Sequence, residues 1–396
     1  MGATHFDELK ERDERYIMHT YARYQVSIAR GKNATCYDHD GRELIDFTSG
    51  IGVNCLGFAD EGWVAAVSRQ LAAVQHISNL FYTAPCVDQA QMLCERTGMA
   101  RVFFANSGAE ANEGAIKAAR KYSFDKYGEG RNRIVTLSNS FHGRTVTTLS
   151  ATGQESFHRF FFPFTEGFVY AETGNLDDTL AKLDSTVCAV MLELVQGEGG
   201  VVALDRDYVA AVARACAERD ILVILDEVQT GVGRTGSLYG FMQYGISPDI
   251  VTSAKGLGGG LPIGAILFNA KTADASLGAG DHGSTFGGNP AVCAGAVEVL
   301  KRMTDEFLAE VKCKGDYMRQ QILAMPHVKS VSGMGMMIGV ELDGLKASDV
   351  VAAGLEKGVM LLTAKTRVRL LPPLTITYGE IDRGLKAMAA VLAEAE

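Results

Sequence analysis

The sequence predicts an α/β fold, with a mainly parallel sheet in a large central domain and a smaller α+β domain towards the end of the chain. Short apolar runs alternate with longer segments of helical periodicity through the middle of the sequence, and this alternation favours parallel strands joined by helical crossovers. Several runs are apolar throughout, as is typical of strands covered on both faces. The 396 residues are enough for two or three domains.

Strands are predicted at six short runs in the middle of the chain. They lie at 101–105, 133–138, 187–195, 221–228, 249–254 and 263–268. Only about eight residues separate the last two runs. A parallel connection needs about a dozen residues or more, so we expect this pair to be antiparallel.

Three units are expected along the chain. Residues 51–290 are predicted to form the large domain, and a long helical stretch from about residue 290 leads out of it. Residues 291–396 are predicted to hold this interdomain helix and the small α+β domain. Residues 1–50 carry no pattern for a core of their own, so they are expected to pack with the small domain.

The composition argues against several classes of function. The 47 acidic and 38 basic residues give a net charge of −9, whereas nucleic-acid-binding proteins usually carry a basic patch. No run approaches the roughly 18–20 apolar residues of a membrane-spanning helix, and the charged N-terminus is unlike a secretory signal. The eight cysteines form no C-x-x-C pair. We therefore expect a cytoplasmic protein with no metal site and no nucleic-acid or membrane partner.

Ligands of parallel α/β sheets bind beyond the carboxyl ends of the strands, and the segment 106–110 follows such a strand. Its residues Asn-Ser-Gly-Ala-Glu open a helical pattern. The first N–H groups of a helix point outward beside the positive end of the helix dipole, which favours a phosphate or a carboxylate. Ser107 as an ordinary helix cap, with Glu110 completing a capping box, is the structural alternative.

Asp226 and Gln229 lie at the end of another apolar run. A carboxylate just past a buried strand is partly desolvated and needs a cationic or hydrogen-bonding partner. A salt bridge or a helix cap would satisfy Asp226 as well as a ligand would. Gln229 could offer an amide to the same ligand.

Lys255 follows the next run and precedes four glycines within five residues, 256 and 258–260. Desolvation lowers the pKa of a lysine and makes its amine a nucleophile for carbonyl groups. The glycines would allow the backbone to approach a planar ligand closely. An exposed lysine beside a flexible loop is the alternative.

Taken together, the three features provide a lysine for a Schiff base, an acid for a ring nitrogen and a cup for a phosphate. These are the groups that pyridoxal 5'-phosphate requires of a protein. Their joint occurrence at the ends of predicted parallel strands favours this cofactor over any of the single structural alternatives.

Longer motifs around these residues resemble the class III, fold-type I aminotransferases, which depend on pyridoxal phosphate. The similar segments occur in order along nearly the whole chain, at 38–53, 76–82, 106–120, 141–145, 196–201, 225–236, 248–266 and 282–290. The resemblance implies a large domain with a mainly parallel seven-stranded sheet flanked by helices, plus a small α+β domain. The motifs are most similar to the branch of the family that acts on N-acetylornithine.

The resemblance also implies roles for individual residues. Lys255 matches the catalytic Schiff-base lysine, Asp226 the partner of the pyridine nitrogen, and Phe141 a ring that stacks on the cofactor. Thr285 matches a threonine that reaches a phosphate in the neighbouring subunit, so a homodimer with shared active sites is implied. The complete set of implied cofactor contacts is Ser107, Gly108, Ala109, Phe141, Asp226, Val228, Gln229, Lys255 and Thr285.

Four residues match substrate contacts of the family. Arg144 and Arg369 resemble its carboxylate-binding arginines, Glu198 resembles the glutamate that pairs with the second arginine, and Ser284 lies beside Thr285. The stretch 364–370 is a residue shorter than common versions, which leaves Arg367 as an alternative to Arg369.

The implied reaction transfers an amino group between N2-acetyl-L-ornithine and 2-oxoglutarate, giving N-acetyl-L-glutamate 5-semialdehyde and L-glutamate, as in arginine biosynthesis. Ile51 matches a position where ornithine δ-aminotransferases carry tyrosine, which disfavours plain ornithine. The sequence departs from the family pattern at 57–61 and at Glu193-Leu194, where Gly-His-x-His-Pro and Glu-Pro are usual. Succinylornithine, 4-aminobutyrate and ornithine remain alternative donors, and an aminomutase and a non-catalytic cofactor-binding protein remain remote alternatives.

Overall fold

The first hundred residues supply a helix, three short strands and two longer helices. The computed structural model describes residues 5–395. The elements are α1 (His5–Tyr16), β1 (Ile28–Lys32), β2 (Thr35–Asp38), β3 (Glu43–Asp46), the short turn α2 (Ser49–Gly52), α3 (Glu61–Ala73) and α4 (Ala84–Thr97). Asp60 caps α3, because its side chain accepts the N–H of Trp63.

The middle of the chain alternates strands and helices around one sheet. Its elements are β4 (Arg101–Ala105), α5 (Gly108–Tyr127), β5 (Arg133–Leu137), α6 (Val146–Ala151), β6 (Phe168–Ala171), α7 (Leu176–Ala181), β7 (Val187–Leu192), β8 (Val195–Gln196), β9 (Val202–Ala203), α8 (Arg206–Glu218), β10 (Leu222–Asp226), α9 (Phe241–Tyr244), β11 (Ile250–Ser253), β12 (Gly264–Phe268) and α10 (Ala270–Ala273). The seven-stranded sheet has the order β4-β12-β11-β10-β7-β5-β6. Every residue of β7 and of β10 is buried, as expected for strands covered on both faces.

The predicted α/β architecture is confirmed. All six predicted runs contain strands of the sheet, and β12 is antiparallel to both β11 and β4, whereas the remaining pairs are parallel. The run at 187–195 divides, because β7 ends at Leu192 and Val195 begins the separate β8–β9 hairpin. The four-residue edge strand β6 was not predicted; its pattern is only partly buried, so it lacks the continuous apolar signal of the central strands.

The last hundred residues form a second, antiparallel sheet covered by helices. The elements are α11 (Pro290–Arg302), α12 (Asp305–Leu323), β13 (Val328–Met334), β14 (Met337–Leu342), α13 (Ala347–Glu356), β15 (Val359–Met360), β16 (Leu362–Ala364), β17 (Arg367–Leu370) and α14 (Tyr378–Glu394). The sheet order is β13-β14-β17-β16. β15 pairs in parallel with β3, extending the sheet of β1, β2 and β3. This pairing supports the proposed placement of residues 1–50, of which the first four lie outside the described chain, with the C-terminal unit.

Arg234 joins this C-terminal unit to the central sheet. It lies in the loop between β10 and α9, is 2% exposed, and donates from Nη1 to the carbonyls of Met336 (3.2 Å) and Pro372 (2.5 Å). Burial lowers the pKa of Arg234 to about 10, with the nearby Cys55 and Asp46 opposing that shift. A guanidinium from the central part of the chain is therefore held by two backbone carbonyls of the C-terminal unit.

None of the helices between residues 5 and 395 combines the length and the apolar character needed to cross a membrane. Across the same residues there is no group of three or more histidine, cysteine, aspartate or glutamate side chains arranged to hold a metal ion.

Candidate active site

A cavity of about 640 Å³ opens at the edge of the central sheet where β4, β5, β7, β10 and β11 end. All three features singled out in the sequence contribute to it. The cavity is lined by Tyr21, Val53, 106–109, Asn112, 141–144, Glu193, Asp226, Val228, Gln229, Ala254, Lys255 and 260–263.

The cup after β4 is built by the N-terminus of α5. Ser107 caps this 20-residue helix, with its Oγ accepting the Glu110 N–H at 3.2 Å, and the Glu110 carboxylate accepts the Asn106 N–H at 2.7 Å. The capping alternative is therefore present, yet Gly108 and Ala109 also face the cavity with N–H groups that have no partner inside the helix. A Cβ on Gly108 would lie 2.7 Å from the side chain of Val228, so only glycine fits there.

Asp226 ends β10 and is 4% exposed. Its Oδ2 accepts from His142 Nδ1 and from Asn112 Nδ2, both at 2.8 Å, and its Oδ1 accepts the Val228 N–H at 3.0 Å. Asn112 is held in turn by Thr252, whose hydroxyl donates to Asn112 Oδ1 at 2.7 Å. The carboxylate is thus fixed in position by one imidazole, one amide and one backbone N–H.

The negative charge of Asp226 affects the pKa of His142, which is 1% exposed. Burial favours the neutral imidazole, but the hydrogen bond and charge of Asp226, with the charge of Glu193, outweigh it and raise the pKa of His142. Its other nitrogen, Nε2, is buried without a hydrogen-bond partner. Asp226 and Glu193 therefore favour the protonated form of the His142 imidazole.

Lys255 follows β11 at the start of a short 3-10 turn and has a left-handed backbone, with φ of 44°. Burial lowers the pKa of Lys255, and the positive charge of Arg369 adds to the effect, while Glu198, Asp226 and Glu193 oppose it. The amine therefore loses its proton more easily than an exposed lysine does. At least one of the glycines that follow is required by packing within the protein, because a Cβ on Gly259 would lie 2.7 Å from the Trp63 ring.

Glu198 and Arg369 form an ion pair beside the cavity. Arg369 Nη1 lies 2.5 Å from Glu198 Oε1 and 3.4 Å from Gln229 Oε1, and Gln229 is part of the cavity wall. Arg369 is 3% exposed, and its Nε has no hydrogen-bond partner. Arg367, the alternative raised by the sequence, points away and donates to the Gly200 carbonyl and the Ser332 hydroxyl.

Phe141 and Arg144 line the opposite wall. The Phe141 ring lies edge-on to Phe157, at a centroid separation of 5.7 Å. The Arg144 guanidinium is 4.2 Å from the Phe157 ring centroid and 5.7 Å from that of Phe141. Arg144 is exposed, so its guanidinium is available to a ligand entering from solvent.

Thr285 and Ser284, which the family resemblance also implies as contacts, do not line the cavity. Thr285 is exposed and is not part of the cavity wall. Ser284 Oγ accepts from Asn106 Nδ2 at 3.0 Å, next to the cup. Within one chain, the structure therefore leaves Thr285 facing outward, as a contact to a neighbouring subunit would require.

Sequence reasoning did not single out His142, Asn112, Glu193 or Tyr21, which all line the cavity. His142 lies inside the recognised 141–145 motif, next to Phe141, which is a signal that could have revealed it. Asn112 occurs one helical turn after Gly108, on the side of α5 that faces the sheet. Its contact with Asp226 spans 114 residues and has no local pattern.

A family model described as aminotransferase class-III matches residues 16–392. The chain is a class III aminotransferase. An acetylornithine aminotransferase of Haemophilus ducreyi is 52% identical over 98% of this chain and 99% of its own length. One from Caldanaerobacter subterraneus subsp. tengcongensis is 46% identical over 96% of this chain and 98% of its own.

Solved aminotransferase structures share the fold. An ornithine aminotransferase from Toxoplasma gondii superposes with a TM-score of 0.94 at 31% identity, covering 99% of this chain and 96% of that one. An N-acetylornithine aminotransferase from Stenotrophomonas maltophilia superposes with a TM-score of 0.83 at 33% identity, covering 97% and 98%. The fold-type I architecture of this class III aminotransferase is therefore shared with enzymes that act on ornithine and on its acetylated form.

Proposed function

We propose that this class III aminotransferase transfers an amino group between N2-acetyl-L-ornithine and 2-oxoglutarate, with pyridoxal 5'-phosphate as its cofactor. The products are N-acetyl-L-glutamate 5-semialdehyde and L-glutamate, and the step serves arginine biosynthesis. The observation that carries the proposal is the Glu198–Arg369 ion pair beside Lys255. Acetylornithine aminotransferases that are 41–52% identical over nearly their whole length support the choice of donor.

The residues present fit the cofactor. The N–H groups of Gly108 and Ala109 suit a phosphate, Asp226 suits a protonated ring nitrogen, and Phe141 suits stacking on a ring. Lys255 has a lowered pKa at the same cavity. When bound, pyridoxal phosphate supplies an aldehyde that accepts the amino group and a ring that stabilises negative charge on the reacting carbon.

Each side chain around the cavity has its own role in the reaction. Lys255 is the general base and acid, taking the proton from the donor carbon and delivering it again. Asp226, fixed by His142 and Asn112, presents a carboxylate oxygen that can hold a proton on the ring nitrogen of its ligand. Phe141 fixes the plane of the ring, and Arg144 holds the carboxylate of the amino-acid substrate at the cavity mouth.

The ion pair addresses a problem of dual specificity. The reacting carbon of N-acetylornithine is a terminal CH₂ that carries no carboxylate, whereas the reacting carbon of glutamate carries one in addition to its distal carboxylate. While Glu198 neutralises Arg369, the site accepts the uncharged methylene end of N-acetylornithine; once Glu198 moves aside, Arg369 binds the carboxylate beside the reacting carbon of glutamate or 2-oxoglutarate. A single pocket thereby accepts both substrates in turn.

A homodimer is part of the proposal, because Thr285 faces outward next to Ser284 and matches a residue that completes a neighbouring subunit's phosphate site. Ornithine is the second candidate donor, since an ornithine aminotransferase shares this fold. Ile51 disfavours it, because the turn that holds Ile51 offers an aliphatic side chain where tyrosine would donate a hydrogen bond.

The deciding experiment mixes the purified, cofactor-loaded enzyme with N-acetylornithine in the absence of 2-oxoglutarate and records the cofactor absorbance. We expect the absorbance of the aldehyde form to disappear and to return when 2-oxoglutarate is added. The same loss with ornithine or 4-aminobutyrate, and none with N-acetylornithine, would overturn the donor and keep the aminotransferase chemistry.

A further inference from the structure

Glu193 is a buried carboxylate for which the proposed mechanism has no use. It follows β7 in the turn that leads to the β8–β9 hairpin and is 6% exposed. Its Oε1 accepts the Phe141 N–H at 2.8 Å, and its Oε2 accepts the Gly197 N–H at 3.3 Å. One side chain therefore holds two segments that are 56 residues apart.

One of these segments lines the cavity, and the other lies beside it. Phe141 belongs to the wall that carries Arg144. Gly197 immediately precedes Glu198, and its carbonyl lies 3.4 Å from Arg369 Nη1. A Cβ on Gly197 would lie 2.4 Å from Gln229 Oε1, so the backbone at this point is in close contact with Gln229.

Burial of a carboxylate is unfavourable unless its oxygens accept hydrogen bonds. Burial raises the pKa of Glu193, and Asp226 adds to this, whereas the charge of His142 and the two backbone N–H groups oppose it. The ionised carboxylate accepts both N–H groups best, because a protonated oxygen is a donor and only a weak acceptor. The two segments are therefore joined by a buried carboxylate whose two backbone hydrogen bonds and neighbouring His142 favour its ionised form against burial.

We propose that Glu193 is a positioning residue for substrate discrimination, which holds Gly197 so that Glu198 stays on Arg369. This inference rests on the proposed function, because it assumes two substrates that differ at Arg369. When the Gly197 bond is lost, Glu198 leaves Arg369 more readily. The site then favours dicarboxylates over the acetylated donor.

The test uses Glu193→Gln in the cofactor-loaded enzyme. Glutamine keeps the size and accepts the Phe141 N–H, but its NH₂ group cannot accept the N–H of Gly197. We expect kcat/KM for the N-acetylornithine half-reaction to fall about tenfold more than that for the glutamate half-reaction, the size expected for one lost hydrogen bond to a charged group. Equal losses in the two half-reactions would overturn the proposal.

A second measurement does not depend on turnover. Glutarate is an unreactive dicarboxylate, and its Kd can be measured by calorimetry. Glu193→Gln should tighten glutarate binding severalfold because Arg369 is freed more easily; unchanged or weaker binding contradicts the inference. If the wild-type enzyme does not turn over N-acetylornithine, the proposed function fails, yet the glutarate comparison still tests the role of Glu193.

Two further variants separate positioning from a general structural role. In a Glu198→Ala background, Glu193→Gln should no longer change the ratio of the two half-reactions, whereas an additive change would show that Glu193 does not act through Glu198. Glu227→Gln is the matched control, because Glu227 is buried and accepts the N–H groups of Gly240 and Phe241 away from the cavity. It should lower stability without changing the ratio.

If Glu193→Gln does not fold, Glu193→Asp takes its place. It keeps the charge but shortens the reach, and should show the same selective loss in the N-acetylornithine half-reaction. An equal loss in both half-reactions would again overturn the inference.

Discussion

The two ends of strand β10 carry aspartates with opposite roles. Asp220 precedes the strand and is bound by Lys126 Nζ at 2.7 Å, Tyr127 OH at 2.5 Å and Lys271 Nζ at 2.9 Å. Asp226 ends the strand, and its one ion-pair partner among residues 5–395 is His142. Lysines of the protein itself pair with Asp220. The partners of Asp226 fix the position of its carboxylate, which can then pair with a positive charge on a bound ligand.

This difference indicates how to separate structural from functional carboxylates. Lys126, Tyr127 and Lys271 come from two different helices, α5 and α10, so the Asp220 cluster ties those helices to the sheet. The partners of Asp226 are polar groups that orient it without a full lysine or arginine charge. We expect substitutions at the Asp220 end to change stability and those at the cavity end to change rate.

The largest expected effect is at the cavity end. Lys255→Ala removes the proposed general base and should lower kcat on the order of 10⁴-fold, while the thermal unfolding temperature stays the same or rises because a desolvated amine is lost. Steady-state kinetics and circular dichroism check both. Lys271→Ala is the matched control, and the comparison fails if it lowers kcat as much.

Asp226→Asn should lower kcat by roughly 10²–10³-fold, since a neutral amide no longer stabilises positive charge on its ligand. The side chain keeps nearly the same shape, but its NH₂ group cannot accept an N–H, so a modest fall in the free energy of unfolding should accompany the loss of rate. Urea unfolding and kinetics on the same preparation measure this. A variant that keeps its rate but unfolds more easily would place Asp226 in the same structural class as Asp220.

Glu198→Ala should act selectively. It leaves Arg369 unpaired, so the N-acetylornithine half-reaction should lose roughly tenfold more kcat/KM than the glutamate half-reaction. Single-turnover absorbance measurements follow each half-reaction separately. Equal losses would reduce the Glu198–Arg369 pair to a structural ion pair.

The smallest effect is expected at the other end of β10. Asp220→Asn should lower the free energy of unfolding by about 1 kcal/mol at pH 7, allowing for partial solvent screening, and leave kcat unchanged. Burial opposes ionisation of Asp220, but the bonds from Lys126, Tyr127 and Lys271 outweigh it and hold its pKa well below the usual range.

The pH dependence sharpens this last prediction. Because the pKa of Asp220 is lower in the folded state, its ionised form stabilises the folded protein at pH values above its unfolded pKa of about 4. This stabilisation is lost as the pH falls from there towards the folded-state pKa. The stability difference between wild type and Asp220→Asn should therefore be full at pH 7 and shrink below about pH 4. Urea unfolding at pH 7 and pH 3 measures it, and a difference that grows on acidification would contradict the assignment.

Much of this molecule could be predicted from local sequence. Continuous apolar runs marked the central strands, and the short link before β12 marked its reversed direction. The lysine, the aspartate and the cup each follow a strand in the sequence, so their meeting point was predictable from topology. The edge strand β6 and the division at Glu193 were not, because neither has a distinct periodicity.

The partners of the site residues were less predictable. Asn112 and His142 meet Asp226 only through the folding of α5 and the β5 loop onto β10, and no spacing in the chain encodes that contact. Arg367 and Arg369 are two residues apart in β17, so their side chains leave the sheet on the same face and the alternation of the strand cannot distinguish them. Their different partners come from the loops packed on that face.

The buried bonds of Arg234 determine which parts of the enzyme can move. A hinge between the central sheet and the C-terminal unit would strip the guanidinium of its Met336 and Pro372 carbonyls, and a buried charge without partners costs several kcal/mol. Domain closure at this point is therefore unfavourable. Exchange of substrates should instead depend on rotations of the Glu198 and Arg144 side chains. These motions are fast and leave the backbone in place.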